Sequence, residues 1–314
     1  MYLRGGGPFE GLNLAARSPD GGLVAGGGVR SHADSFTSRV VLWNAATMER
    51  RWVTDRPTTD FRSVNALLWS PDGRAIWTHD TEGKIDRLDS QSGRVTRELQ
   101  GHQYAPCVFA STPGGLLLTE AASRNAPTEL TLRSWKDGEV RWRVPFPCWW
   151  EAGSSVNAAG TLLAYSPRRG EVALFDLRRR VILPARFHFP AEAGPYAIAL
   201  TPDGSAVAAG WNEGTITTWN TAGGREVWRA RPHRGLVRAL AWNARGDALA
   251  SSAFHGCGGW RSECVVVTRP DVNGPQSRVA WWRRYHVADS LQWLGEDRLM
   301  LAINDGAFTV RVPP

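Results

Sequence analysis

Short apolar runs alternate with compact polar turns along the whole chain. The apolar run at 66–69 leads into Ser-Pro-Asp-Gly at 70–73, and a second apolar run follows at 75–77. The same turn stands at 18–21 and, with threonine in place of serine, at 201–204. Two short apolar runs joined by such a turn predict a β-hairpin, because proline and glycine supply the backbone angles that a tight turn requires.

The hairpin pattern occurs seven times. Its weaker copies lie at 112–115, 157–160, 243–246 and 294–297, and the fourth positions of successive copies are 42 to 52 residues apart. Self-similarity at a nearly fixed spacing indicates an internal repeat in which each copy is one supersecondary unit.

Each repeat continues with two further strands. A glycine turn followed by alternating residues, as at 213–220, predicts a third strand, and segments such as 225–228 predict a fourth. No helical period of useful length is present. Four short strands in each repeat of about 40–45 residues predict an all-β fold, a seven-bladed β-propeller with four-stranded antiparallel blades.

With these motifs the chain resembles the WD-repeat β-propellers, with divergent repeats, over essentially its whole length. The resemblance is carried by the Pro-Asp-Gly turns, by the Gly-x-x-x-x-Trp-Asn segment at 214–220, and by Gly101-His102 before the third repeat. The Trp-Asp ends of the family appear here as Trp43-Asn44, Leu88-Asp89, Phe175-Asp176 and Trp219-Asn220. The buried Asp-His-Ser-Trp hydrogen-bond set of that family cannot be traced completely in any one repeat.

Residues 1–314 are expected to form one propeller domain. The expected blades are 14–54, 64–100, 106–144, 154–188, 195–231, 237–284 and 290–313, the last with 1–5. The last repeat has a third strand near 308–312 but no sequence left for a fourth. Residues 2–5 resemble the end of a fourth strand at 98–101, so we expect the N-terminal strand to close the ring in the last blade.

Composition favours a folded domain away from membranes. The 314 residues are 42% hydrophobic and 21% charged, which is sufficient for a packed core. No apolar run reaches about 18 residues, and the first residues lack a secretory leader. The sequence therefore predicts a cytoplasmic protein without a membrane partner, monomeric on its own.

The net charge of +7 comes from 37 basic and 30 acidic residues, and only Lys84 and Lys136 are lysines. The arginines are scattered, with 178–180 as the longest run. This composition favours GC-rich coding, typical of a bacterial source. The alternative is a basic surface that attracts an anionic partner such as nucleic acid.

The four cysteines form no metal-ligand signature. Cys107 is expected in the core, and Cys148 lies in a connection between blades. Cys257 and Cys264 flank a glycine-rich segment and leave three alternatives: free thiols, a disulfide, or a metal bound together with His255. Free thiols are favoured, because the cytosol keeps cysteines reduced and three ligands make a weak zinc site.

Catalysis finds little support in the sequence, and an enzyme or small-molecule binder that uses the central channel is the third alternative. The chain contains no Gly-x-Ser-x-Gly elbow, no Walker loop, no His-Glu-x-x-His helix and no two-glycine dinucleotide fingerprint. The prediction is a protein that is not an enzyme and holds no cofactor and no metal.

In this architecture the connections from the second to the third strand and those between blades share one side of the ring, here called the loop face. Long second-to-third loops are predicted at 30–38, 123–128 and 254–262. Exposed tryptophan, tyrosine and arginine dominate binding energy at interfaces. The predicted binding residues on the loop face are Trp149, Trp150, Trp260, Arg261, Trp211, Tyr104, Arg284, Tyr285 and Arg62.

Most of the 16 tryptophans fall instead in predicted strands, where packing between blades explains them. The first-strand members are Trp69, Trp242 and Trp293, and the fourth-strand members are Trp52, Trp142, Trp228 and Trp281.

Two functions of different classes agree with these observations. The favoured one is a non-enzymatic protein-interaction scaffold that binds a partner protein or peptide on the loop face. The alternative is a propeller that binds RNA or single-stranded nucleic acid, with arginine on phosphate and aromatic rings on unpaired bases.

Overall fold

The computed structural model contains 28 strands in seven four-stranded antiparallel sheets, and it has no helix among the residues it describes. It describes residues 2–4, 10–32, 35–47, 49–58, 64–80, 83–100, 108–120, 127–149, 152–189, 194–254, 262–271, 274–284, 290–303 and 306–312. The predicted seven-bladed propeller is confirmed. No helix in the described part of the chain could cross a membrane.

Blades one to four follow one another along the chain. Their strands are β2 (Glu10–Arg17), β3 (Leu23–His32), β4 (Ser35–Asn44) and β5 (Arg50–Thr58) in blade one; β6 (Val64–Trp69), β7 (Ala75–Asp80), β8 (Lys84–Asp89) and β9 (Val95–Gln100) in blade two; β10 (Phe109–Thr112), β11 (Gly115–Glu120), β12 (Glu129–Arg133) and β13 (Val140–Pro145) in blade three; and β14 (Ser155–Val156), β15 (Leu162–Tyr165), β16 (Glu171–Asp176) and β17 (Val181–His188) in blade four.

Blades five to seven complete the ring. Their strands are β18 (Ala197–Leu200), β19 (Ala206–Gly210), β20 (Ile216–Asn220) and β21 (Glu226–Ala230) in blade five; β22 (Val237–Trp242), β23 (Leu249–Ala253), β24 (Ser262–Arg269) and β25 (Gln276–Arg284) in blade six; and β26 (Ser290–Trp293), β27 (Arg298–Ile303), β28 (Gly306–Arg311) and β1 (Tyr2–Arg4) in blade seven.

The first turn of blades one to six is stabilised by its own polar side chains. In blade one the Ser18 hydroxyl accepts a hydrogen bond from the Leu23 amide at 2.9 Å and donates one to Asp20 at 2.6 Å. The Ser18 hydroxyl and the Gly22 amide hold the pKa of Asp20 below its usual range. In the weaker copy at Asn157, the side-chain oxygen accepts from two backbone amides. Serine, threonine and asparagine recur here because each places an oxygen at the same backbone donors.

Tryptophans in first strands join neighbouring blades. The Nε1 of Trp69 donates to the Ala16 carbonyl, that of Trp242 to Ala199, and that of Trp293 to Ala241, at 3.0, 3.2 and 2.8 Å. Each acceptor belongs to the first strand of the preceding blade. The prediction that these tryptophans pack between blades is confirmed.

The hydrophobic core is divided among the seams between adjacent sheets. At the seam of blades one and two, the buried residues are Ala25, Val40, Leu42, Val64, Leu67, Trp69, Ile76 and Leu88. At the seam that closes the ring, Leu12 and Trp43 of blade one lie in one cluster with Met300 and Ala307 of blade seven. Sheets of a propeller bury both faces, and the second strands are accordingly buried along nearly their whole length, as β7, β11, β19 and β23 show.

The N-terminal strand completes blade seven. β1 pairs antiparallel with β28, with Tyr2 opposite Phe308 and Arg4 opposite Gly306. The sequence prediction of closure by the N-terminus is therefore confirmed. The pairing ties the start of the chain to its last blade and covers the outer edge of β28.

Candidate functional site

The loop face and the opposite side of the ring are built differently. The opposite side, here called the turn face, carries the two short turns of each blade, between the first and second strands and between the third and fourth. Within a blade these turns bind each other, as Ser90 N donates to Arg74 O at 3.0 Å and Thr221 N to Ser205 O at 2.9 Å. The turn face therefore satisfies much of its own polar backbone.

Most of the described residues of the loop face lie in blades four to six. Its described segments there are 145–149, 166–170, 194–196, 211–215 and 231–236, here called the loop-face sector. Backbone hydrogen bonds hold the segments together: Trp149 N donates to Ser166 O at 2.8 Å, and Val237 N to Trp211 O at 3.1 Å.

The connection from the second to the third strand of blade one is not a long loop. The sequence predicted a loop over 30–38, but β3 continues to His32 and β4 begins at Ser35, with Ser31 paired to Phe36. That prediction is wrong, because backbone pairing continues over ten residues in each strand of this hairpin, against six in the corresponding strands of blade two. The loop predicted at 123–128 lies largely outside the described residues, and the one at 254–262 almost entirely so.

Trp149 lies at the surface of the loop-face sector and is half-buried. Its ring lies beside Gly194, where a Cβ atom would come within 3.5 Å of Trp149 Nε1 and 3.7 Å of the Arg169 side chain. The Nε1 group itself is buried without a hydrogen-bond partner among the described residues. Part of the indole is thus available to a partner while its position is fixed by blade four.

The prediction of a binding role for Trp211 is wrong. Its side chain is 0% exposed and stacks on Phe189, with ring centroids 4.4 Å apart and an interplanar angle of 18°. It also meets Trp219 edge-on at 6.3 Å. Trp211 follows β19 directly, and the close turn made by Gly214 N and Trp211 O directs the ring inward between blades four and five. Phe189, in the connection between blades four and five, is the residue of the sequence that could have indicated this packing.

The other predicted binding residues are not placed by the structure. Arg284 ends β25 with its backbone opposite Ser262, and its side chain lies outside the described part. The remaining six, all outside the described residues, are Trp150, Trp260, Arg261, Tyr104, Tyr285 and Arg62.

The loop-face sector is positively charged. It contains four arginines (Arg168, Arg169, Arg231 and Arg234) and one acidic residue, Glu213. Arg168 pairs at 2.5 Å with the buried Glu171, which also binds Arg186 at 2.9 Å. Arg169 and Arg234 are exposed and make no ion pair with any described residue. These two residues are not predictable from the sequence, because nothing in their spacing separates them from the other arginines.

A buried histidine anchors the sector to blade six. His233 is 1% exposed, with Nε2 2.8 Å from Ser251 Oγ and Nδ1 3.5 Å from Cys264 Sγ. Burial lowers the pKa of His233 to about 4, so its imidazole is neutral at pH 7. The structure thus uses this ring as a hydrogen-bonding spacer between the interblade connection and the sheet.

We expect His233 to make stability depend on pH between about 6.5 and 4. The unfolded imidazole takes up a proton near its ordinary pKa of about 6.5, whereas the folded one does so only near 4. Stability from this group is complete above about pH 6.5 and falls by about 3 kcal/mol as the pH drops to 4. Urea unfolding of wild type and of His233→Gln across this pH range measures the change in the free energy of unfolding. Parallel pH curves for the two proteins would contradict the assignment.

The favoured prediction of free thiols is wrong for Cys264, which is disulfide-bonded, as is Cys148. No described cysteine is free. The partner of each lies outside the described residues, as do Cys107 and Cys257, so the pairing of Cys257 with Cys264 stays an alternative. Among the described residues, no three His, Cys, Asp or Glu side chains are grouped as metal ligands. Both disulfide-bonded residues adjoin the loop face, Cys148 directly before Trp149.

Comparison with curated proteins finds distant relatives. The chain is 24% identical over 256 residues to telomerase protein component 1 of Mus musculus, a match that covers 81% of this chain and 9% of that protein. For the protein of the same name from Rattus norvegicus, identity is 24% over 225 residues, covering 70% and 8%. The chain thus spans only a small part of these relatives. No protein-family model matches it.

Comparison with solved structures shows the fold. The chain superimposes on the structure of U3-55K with a TM-score of 0.75 at 14% identity, covering 99% of this chain and 98% of that one. On the RRP9 WD40 repeats the TM-score is 0.76 at 14% identity, covering 100% and 97%. The protein therefore has the WD40-repeat β-propeller fold that the sequence motifs resemble. The two curated relatives are mammalian, so the comparisons do not support the predicted bacterial source.

Proposed function

We propose that the protein is a non-enzymatic scaffold that binds a partner protein or peptide on its loop face. The observation that carries the proposal is the contrast between the two faces. The turns of the turn face bind each other through backbone hydrogen bonds, whereas the loop-face sector exposes part of the Trp149 ring, and its Arg169 and Arg234 make no ion pair with any described residue. A fixed aromatic edge beside free guanidinium groups is the combination that interfaces favour.

The charge of the sector defines the chemistry of the partner. Because Arg168 is paired with Glu171, the described segments leave Arg169, Arg231 and Arg234 against Glu213. This positive excess favours a segment with acidic side chains, since complementary charge steers association and excludes basic competitors. The matched mammalian relatives are named as a protein component of telomerase, which agrees with a role inside a larger assembly.

We expect two loop-face variants to weaken partner binding. Trp149→Ala should cost about 2 kcal/mol, or about thirtyfold in affinity, if the ring is an anchor. Arg169→Ala with Arg234→Ala should slow association and remove much of its salt dependence. The measurement is capture of partners by the tagged protein from native lysate after nuclease treatment, followed by titration of the purified partner.

The matched control is Arg94→Ala with Arg225→Ala. Both arginines are exposed, make no ion pair with described residues, and lie on the turn face in blades two and five. Equal loss of binding in control and loop-face variants would contradict the assignment to the loop face. Partners that disappear with nuclease alone would favour the nucleic-acid alternative.

A further inference from the structure

The turns between the third and fourth strands of blades two, three and five share one geometry. Their first residue accepts backbone hydrogen bonds, as Asp89 does from Ser92 N and Asn220 from Gly223 N. In three blades their fifth residue is a glycine with positive φ: Gly93 at 71°, Gly138 at 74° and Gly224 at 68°.

Blade four departs from this pattern. Its turn begins with Asp176, which accepts from the amides of Arg178 and Arg179 at 2.9 Å each. The fifth residue is Arg180, with φ of 60°, the one non-glycine residue with positive φ in the described part of the chain. A side chain in the left-handed region costs conformational free energy that glycine avoids, so the arginine is retained against a local preference.

The ring beneath this arginine, Trp142, occupies a position that recurs on the fourth strands. Trp52, Arg97 and Trp142 occupy equivalent fourth-strand positions, each paired to the residue just before a register shift. Each contacts the turn of the next blade: Trp52 Nε1 donates to Ser90 O at 3.0 Å, and Arg97 pairs with Glu139 at 3.6 Å.

At the seam of blades three and four, the Arg180 guanidinium instead lies over the Trp142 ring, 5.3 Å from its centroid. Stacking positions the guanidinium without using its hydrogen-bond donors.

Positive charge at this turn is left uncompensated. Arg178 is exposed and makes no ion pair with any described residue. Arg179 is 3.9 Å from Asp176, the one carboxylate that the described structure places beside the three arginines. The position that holds Glu139 in blade three is Val181 in blade four. Three guanidinium groups therefore face solvent against a single carboxylate.

We propose that Arg178, Arg179 and Arg180 form a phosphate-binding site for single-stranded nucleic acid at the rim of the turn face, separate from the loop face. Guanidinium groups match phosphate oxygens with two parallel hydrogen bonds. The Arg180–Trp142 stack adds a planar surface on which an unpaired base can stack, which an acidic peptide has no group to use. The net charge of +7 supports attraction of a polyanion.

The test is binding of a fluorescently labelled oligouridylate to the full chain, followed by anisotropy over a salt series. Arg178→Ala with Arg179→Ala should lower affinity by about tenfold at low salt and reduce the slope of log K against log salt by about 1.4. Arg94→Ala with Arg225→Ala, in equivalent turns, should stay within about twofold of wild type. Equal losses in the two double variants would overturn the site.

Two further measurements exclude simpler explanations. Arg180→Gly introduces the glycine that the equivalent turns carry. The variant should therefore melt no lower than wild type, while its affinity for oligouridylate falls. A lower melting temperature with unchanged affinity would mean a purely structural role for Arg180 and overturn the proposal.

Polyglutamate should compete poorly with oligouridylate. If it competes equally and loses its effect in the Arg178/Arg179 variant, the site takes acidic protein and the nucleic-acid assignment is overturned.

Discussion

Deleting residues 1–5 is expected to lower the melting temperature by about 10 °C. The deletion removes β1, exposes the outer edge of β28 and breaks the link between the first and last blades. Loss of the strand's ladder hydrogen bonds, and of its cover over blade seven, should cost about 3–5 kcal/mol. In a protein of this size each kcal/mol corresponds to about 2–4 °C. Differential scanning calorimetry of the two proteins measures the shift.

A permuted chain provides the control for this deletion. Residues 1–5 are moved behind Pro314 through a short flexible linker, so that the strand follows β28 as a hairpin. The permuted chain should recover most of the lost melting temperature, because the strand is restored without its original connection. A deletion that melts with the wild type would show that closure by β1 contributes no stability.

The second large effect is expected from the disulfide bonds of Cys148 and Cys264. Removing a native disulfide costs about 2–5 kcal/mol, since it restricts the unfolded chain. Wild type refolded in the presence of a dithiol reductant should therefore melt well below the oxidised protein. The Cys148→Ala/Cys264→Ala variant should melt at the same lower temperature with and without reductant.

Alkylation gives the direct chemical check of these bonds. Under denaturing, non-reducing conditions, peptides that contain Cys148 and Cys264 should stay unmodified, and they should react fully after reduction. Reaction without reductant would contradict the disulfide assignment.

The fold could be predicted from the sequence because most residues that define the repeat form contacts with residues only a few positions away. Ser18 and Asp20 bind their own turn, and Trp69 reaches the neighbouring strand from a fixed place in the repeat. The number of blades and the closing strand follow from counting such turns. Each of these features depends on a motif that recurs along the chain, so the local structure of one blade predicts that of the next.

The candidate site was less predictable because it depends on how single side chains pack. Trp211 stands in a loop by sequence, yet Phe189 from the preceding connection covers it. Nothing in the sequence separates Arg169 and Arg234, which make no ion pair with any described residue, from Arg168, which pairs with Glu171. Such pairings are made across blades, and the linear sequence does not record them.

Cys264 and Arg180 also have properties that depend on three-dimensional contacts and could not be predicted from the sequence. Free thiols were inferred for Cys264 from the expected compartment, whereas its bonding is set by the spatial approach of another cysteine. Arg180 belongs to a run that the composition explains as coding bias, and only its positive φ and its contact with Trp142 distinguish it.

Hydrogen–deuterium exchange of the propeller, with and without its captured and purified partner, tests the central claim most directly. We predict slower exchange on binding at amides of 166–170, 211–215 and 231–236 in the loop-face sector, with 89–95 and 220–226 on the turn face unchanged. Protection confined to the turn-face segments, with the loop-face sector unaffected, would contradict a scaffold that holds its partner on the loop face.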